Sequence, residues 1–161
     1  RSFHVTGVQT CALPILLLED TEITGPVSVQ LWISSSAVDT DFTAKLIDVY
    51  PPSEDYPEGY ALNLTDGILR VKFRDSWERT ELMAPGEVYQ VELSLLPISN
   101  LFVEGHRIRL DISSSNFPRF DVNGNTGENP GTSAVRITAL NSVYHDNSWP
   151  SYALLPVIPT S

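Results

Sequence analysis

Beyond the first fifteen residues, any bond-breaking site in this chain would have to be assembled from two histidines, a run of serines and scattered carboxylates. His145 lies in Val143-Tyr144-His145-Asp146, and an adjacent carboxylate can orient an imidazole as a general base. Neighbouring residues on a strand point to opposite faces, however, which makes an Asp146–His145 pair geometrically poor. A structural hydrogen bond at a domain boundary suits His145 better. His106 opens a strand just after Gly105. A serine nucleophile is normally carried on a strained strand-to-helix turn with the pattern Gly-x-Ser-x-Gly. That pentapeptide is missing: Gly131-Thr132-Ser133 lacks the second glycine, and Ser113-Ser114-Ser115 ends a strand with no helix behind it. Hydroxyls so placed are expected to satisfy backbone groups near strand ends. No residue is therefore assigned a catalytic role.

Cation chemistry is suggested twice. Asp121-Val122-Asn123-Gly124-Asn125 has oxygens at alternate positions, like the opening of a calcium loop. An EF-hand would want Gly where Thr126 stands and Glu where Thr132 stands, and finds neither. Asp39 and Asp41, two apart on an extended segment, could face one cation together. Turn chemistry, in which Asp side chains bond the local backbone, is the competing reading. Calcium at Asp39/Asp41 or Asp121/Asn123 stays open, while no Cys/His cluster suggests zinc and no cofactor is expected.

The elements that must position these groups read as strands. Val27, Val29, Leu31 and Ile33 alternate with polar or half-polar neighbours at period two. Tyr89, Val91, Leu93 and Leu95 repeat the pattern against Gln90, Glu92 and Ser94, and Ile108, Leu110 and Ile112 oppose Arg107, Arg109 and Asp111. Val135, Ile137 and Ala139, set against Arg136 and Thr138, predict a further strand. Phe42 to Val49 is apolar on both faces apart from Lys45 and Asp48, as in a central strand. Near the C-terminus, Ala153-Leu154-Leu155 and Val157-Ile158 predict a strand or two short ones, with Pro156 marking an edge or a bulge. Turn residues such as Gly25-Pro26, Pro51-Pro52, Pro85-Gly86 and the run from Asn123 to Gly131 punctuate them. Only Ser76 to Met83 could hold a turn or two of helix. Many short strands between turn signals predict an all-β sandwich or barrel.

Residues 1–15 stand apart. Val5-Thr6-Gly7-Val8-Gln9-Thr10-Cys11-Ala12-Leu13-Pro14-Ile15 has no usable strand or helix period and reads as a translated short-read sequencing adapter. We set this segment aside as foreign and take residues 16–161 as one domain. Of the 161 residues 146 remain, enough to bury a real core, and losing Arg1 takes the net charge from −10 to −11. Such a surface repels nucleic acid and anionic lipid. No apolar run approaches the roughly 20 residues needed to cross a bilayer. The only cysteine, Cys11, falls in the excluded segment, so thiol content says nothing of redox compartment. The native start is expected further upstream, so the lack of a leader leaves location open.

Several segments also carry a family likeness. They are Ser34 to Leu46, Asp66-Gly67-Ile68-Leu69-Arg70, Pro85-Gly86-Glu87-Val88-Tyr89, Ser113 to Asp121, and Val143 to Asp146 followed by Leu154 to Pro159. Together and in this order they resemble the C-terminal β-sandwich of the X-Pro dipeptidyl-peptidase and cocaine esterase (CocE/NonD) group of serine hydrolases. The resemblance implies a jelly-roll β-sandwich, similar to galactose-binding domains, that lacks the catalytic machinery. It also implies a parent that attacks ester or amide carbonyls with a serine, a histidine base and an aspartate on an upstream α/β-hydrolase domain. The sandwich would buttress that domain and wall one side of its cleft.

Aromatics in or beside turns are the remaining signal. Trp32 lies on the polar phase of its strand, Phe117 and Phe120 flank Pro118-Arg119, and Trp77, Tyr144 and Trp149 sit near turns. Such residues pack as satellite core, form a docking patch, or offer a sugar-stacking platform. The resemblance favours docking, with Trp32, Phe117, Arg119, Phe120 and His145 as candidate contacts to the chain's own hydrolase domain. The rival from another class is a freestanding carbohydrate-binding module.

Overall fold

A computed structural model of the protein describes residues 2–6, 11–129, 131 and 133–159. Two antiparallel sheets face one another in a jelly-roll sandwich. The larger is built around β3 (Thr21–Ser35), which pairs along one edge with β6 (Tyr89–Phe102). Along its other edge β3 meets β8 (Leu140–Tyr144), β9 (Tyr152–Leu154) and β10 (Val157–Ile158) in succession. Beyond β8 lies β1 (Ser2–Thr6). The smaller sheet runs β2 (Cys11–Leu16), β7 (Arg107–Ser113), β4 (Asp41–Tyr50), β5 (Tyr60–Arg70).

Period-two patterning sets the faces. Val27, Val29, Leu31 and Ile33 are buried and register against Leu95, Leu93, Val91 and Tyr89. Their opposite layer is Phe42, Ala44, Leu46, Leu69, Ile108 and Ile112. Each large aliphatic side chain so buried contributes roughly 1.5–3 kcal/mol. β4 is central as expected, with β5 on one side and β7 on the other. Pro156 separates two short strands at the edge of β3, opposite the irregularity between Gly25 and Val27. Gly25 has φ +138, and a Cβ there would stand 3.1 Å from the Pro156 ring. Glycine is required where this bulge and that ring meet.

Two expectations are corrected. The alternation Val135/Ile137/Ala139 does not make a strand: residues 133–139 form a loop, with Val135 and Ile137 exposed and only Ala139 buried. That loop bonds locally instead, Ile137 N–H to the Gly124 carbonyl and Asn125 Nδ2 to the Ile137 carbonyl. Ser76 to Met83 is not helical. The Ser76 hydroxyl accepts the N–H groups of Glu78 and Arg79 in a bend, and the helical turn lies earlier, a 3-10 turn over Val71–Phe73. The first fifteen residues have no period, yet 2–6 and 11–16 pair as edge strands with β8 and β7. Backbone hydrogen bonding to an open sheet edge does not require a side-chain pattern.

Candidate functional site

At one end of the sandwich β3, β5 and β7 finish while β4 and β8 begin, and four segments meet there around two carboxylates. Asp39 and Asp41 are both essentially inaccessible. Arg70, the last residue of β5, grips Asp41 through Nε and Nη2, each at 2.9 Å. Lys72, on the 3-10 turn, gives its backbone N–H to Asp39 and holds its Nζ 4.0 Å from Asp39 Oδ2. The same Nζ donates to the carbonyls of Gly127 and Glu128 at 2.9 and 3.2 Å, fastening the loop that carries them. Asn123 Nδ2 donates to Asp39 at 3.1 Å and Asp41 at 2.7 Å. Burial pushes the Asp39 carboxyl upward, against the hydrogen bonds from Asn123 and Lys72 that pull it down. Asp41 holds the Arg70 guanidinium upward, so that cation stays charged.

The two aspartates do face one cationic centre, as their spacing allowed, but the protein supplies it. Arg70, Lys72 and Asn123 occupy the carboxylate oxygens that calcium would need. Among the described residues no group of three or more His, Cys, Asp or Glu could hold a metal ion.

A third carboxylate pins the Ser113–Asp121 segment. Asp66, buried on β5, accepts from Arg119 Nε at 2.9 Å and Asn116 Nδ2 at 3.1 Å. Arg119 lies 5.6 Å from the Phe120 ring centre and is itself half exposed. Held this way, the loop presents Phe117 with 70% of its surface open. Trp77, 78% exposed, stacks on Phe73 at 6.5 Å between centroids. Ile68, Arg70, Phe73, Trp77, Phe120 and Asp121 line a shallow hollow that joins Trp77 to the Phe120 end of this loop. An exposed aromatic rim thus stands on a buried ionic floor.

The other candidates lie elsewhere. Trp32 is half-buried under Trp149, 5.1 Å between ring centres, with Tyr144 next to Trp149. It belongs to an aromatic cluster on the outer face of the larger sheet. His145 is half-buried and lines an apolar cavity of about 200 Å³ between the sheets. Asp146 turns to the backbone N–H groups of Ser148 and Trp149, which hold its carboxyl down.

One polar pair went unread in the sequence. His106 Nδ1 lies 2.9 Å from Asp48 Oδ1, both buried, with the Tyr50 ring 4.2 Å from the imidazole. Asp48 is an acid in an otherwise apolar central strand, and such a group demands a partner. That demand was the available signal. Asn100 Nδ2 also donates to Asp48, at 3.4 Å, so this is a closed structural pair between β4 and the start of β7.

Comparison with known proteins agrees with this geometry. The profile of the X-Pro dipeptidyl-peptidase C-terminal non-catalytic domain matches residues 15–153. This chain belongs to that family. Cocaine esterase from Rhodococcus sp. (strain MB1 Bresler) is 41% identical over 160 residues, covering 98% of this chain and 27% of the esterase. An aminopeptidase from the marine sediment archaeon Thaumarchaeota archaeon superposes with a TM-score of 0.87 at 26% identity, over 93% of this chain and 26% of its own. An α-amino acid ester hydrolase superposes at 0.83 and 28% identity, over 96% and 28%. The X-Pro dipeptidyl-peptidase C-terminal domain described here therefore spans about a quarter of the length of these relatives. It is the non-catalytic part of the family's architecture.

Proposed function

We propose that this domain buttresses the catalytic α/β-hydrolase domain of a serine hydrolase. The rim of Trp77, Phe117, Arg119 and Phe120 is the docking face, and Trp32 and His145, elsewhere on the domain, are separate candidate contacts. One observation carries the reading: an exposed aromatic patch is fixed by ion pairs to the buried carboxylates Asp41 and Asp66, whose members come from segments that carry the family likeness. Exposed apolar patches of this kind mark partners, and rigid backing lowers the entropic cost of docking. The named relatives are esterases and a peptidase, which supports a parent that cleaves ester or amide bonds. In it a serine would attack the carbonyl, histidine would take its proton, and backbone N–H groups would hold the oxyanion. None of those positions is carried onto this chain. The same relatives favour this reading over a freestanding carbohydrate-binding module.

Residues 16–161 form the domain in this account and 1–15 are foreign to it. The family match beginning at residue 15 supports that boundary, although the cocaine esterase alignment, at 98% of the chain, runs into the first fifteen residues. Among the described residues no helix is long and apolar enough to cross a membrane. Hydrogen exchange tests the docking. Backbone amides of residues 74–78 and 114–121 should exchange more slowly once the domain is joined to its native upstream sequence. Unchanged exchange there would reject the docking face.

A further inference from the structure

The loop tied to the ionic floor carries the only Asn-Gly pair in the chain, Asn123-Gly124. The fold requires both members. Asn123 is 8% exposed; its Nδ2 donates to Asp39 and Asp41, and its Oδ1 accepts the Asn125 N–H at 2.8 Å. Asp41, paired with Arg70, can only accept, and a backbone N–H can only donate. The side chain between them must therefore offer a donor and an acceptor together, as an amide does. At position 124 a Cβ would stand 2.7 Å from the Val135 carbonyl oxygen, so a larger residue would have to displace that backbone. Glycine is also the neighbour that least hinders ring closure onto an asparagine side chain. The structure thus imposes the dipeptide most open to spontaneous deamidation at the point where loop meets floor.

We propose that Asn123-Gly124 is a deamidation site which the closed floor protects and whose conversion releases the loop irreversibly. In the reaction the Gly124 nitrogen loses its proton and bonds to Asn123 Cγ, the Cγ–Nδ2 bond breaks, and ammonia leaves. Water then opens the cyclic imide at either carbonyl, which puts aspartate or isoaspartate at position 123. In the folded chain Cγ cannot swing onto the Gly124 nitrogen without giving up all three hydrogen bonds of the amide. Conversion therefore proceeds from the locally open loop, which Lys72 holds shut through the Gly127 and Glu128 carbonyls. Once aspartate has formed, an oxygen replaces the donor that stood 2.7 Å from Asp41 and 3.1 Å from Asp39. A third negative charge then meets two carboxylates already matched by Arg70 and Lys72, and the loop loses its anchor. Isoaspartate adds a further misfit, because it lengthens the main chain by a carbon.

The test incubates the chain at mildly alkaline pH, folded and in guanidinium chloride, and follows residue 123 by peptide mass spectrometry. Asn123 should convert at least about tenfold more slowly in the folded protein, because reaction must wait for the loop to open. Lys72→Met, which loosens the loop and keeps the dipeptide, should convert about threefold faster than folded wild type or more. Hydrogen exchange then reads the consequence. When the denatured sample is returned to buffer, unconverted chains should regain slow exchange over residues 121–128, and converted chains should exchange there about tenfold faster. Equal conversion in the folded and denatured protein would overturn the protection, and equal exchange in converted and unconverted chains would overturn the release. Both comparisons use the wild-type sequence, so they decide the matter even where Lys72→Met fails to fold.

Discussion

Arg70 closes a two-pronged ion pair on Asp41 across the ends of neighbouring strands, Nε to Oδ1 and Nη2 to Oδ2, both at 2.9 Å. The two residues are opposite one another in the β4–β5 register, and Asp41 is 1% exposed. Through Asn123, the same carboxylate reaches the loop behind the aromatic rim. Packing, charge and surface presentation are therefore one structure.

Removing the cation should be severe. Arg70→Met leaves a buried carboxylate without its partner, a loss of about 3–5 kcal/mol in urea unfolding. Arg70→Lys should recover only part of it, since an ammonium cannot reproduce the planar fork. A loss below about 1 kcal/mol for Arg70→Met would contradict the assigned role.

The Asp66 cluster should respond unequally. Arg119 is 56% exposed along its side chain, so Arg119→Ala should cost no more than about 1 kcal/mol. Asp66→Ala strips partners from both Arg119 and Asn116 and should cost more. The reverse order, measured by denaturant midpoints, would show that the loop is pinned by something else.

Asp39 gives a pH dependence of unusual sign. Burial raises its carboxyl on folding, so the folded state holds that proton more tightly than the unfolded chain. Its contribution is therefore full below the ordinary carboxylate pKa and declines as pH rises through the folded value. Asp39→Asn removes this titration. The melting-temperature advantage of the wild type over Asp39→Asn should shrink between pH 4 and pH 7, and a widening gap would contradict the assignment.

Trp32 should matter to the domain on its own. Packed against Trp149, it is expected to cost on the order of 2 kcal/mol when truncated to Ala, less than a fully buried aromatic. A neutral substitution would mean the cluster forms only against a partner.

What could be read in the sequence was what repeats locally. Val27 to Ile33 and Tyr89 to Leu95 alternate cleanly, and both bury the expected face. Val135 to Ala139 alternates as well, but the Asn125 side chain and the Gly124 carbonyl claim its backbone and keep it out of the sheet. The ionic floor was hidden for a different reason. Asp41 and Arg70 are 29 residues apart, and charged residues near turns ordinarily read as solvated surface. Spacing showed that Asp39 and Asp41 converge, while Arg70 and Lys72, supplied by another strand end, could be seen only in three dimensions.

The most direct measurement compares Trp77→Ser/Phe117→Ser with the wild type in two settings, the domain alone and the domain joined to its native hydrolase. Both side chains are more than two-thirds exposed here, so melting of the isolated domain should be unaltered. The joined protein should melt several degrees lower, as about 1–2 kcal/mol of docking contact is lost. Equal melting shifts in both settings, or none in either, would contradict the account.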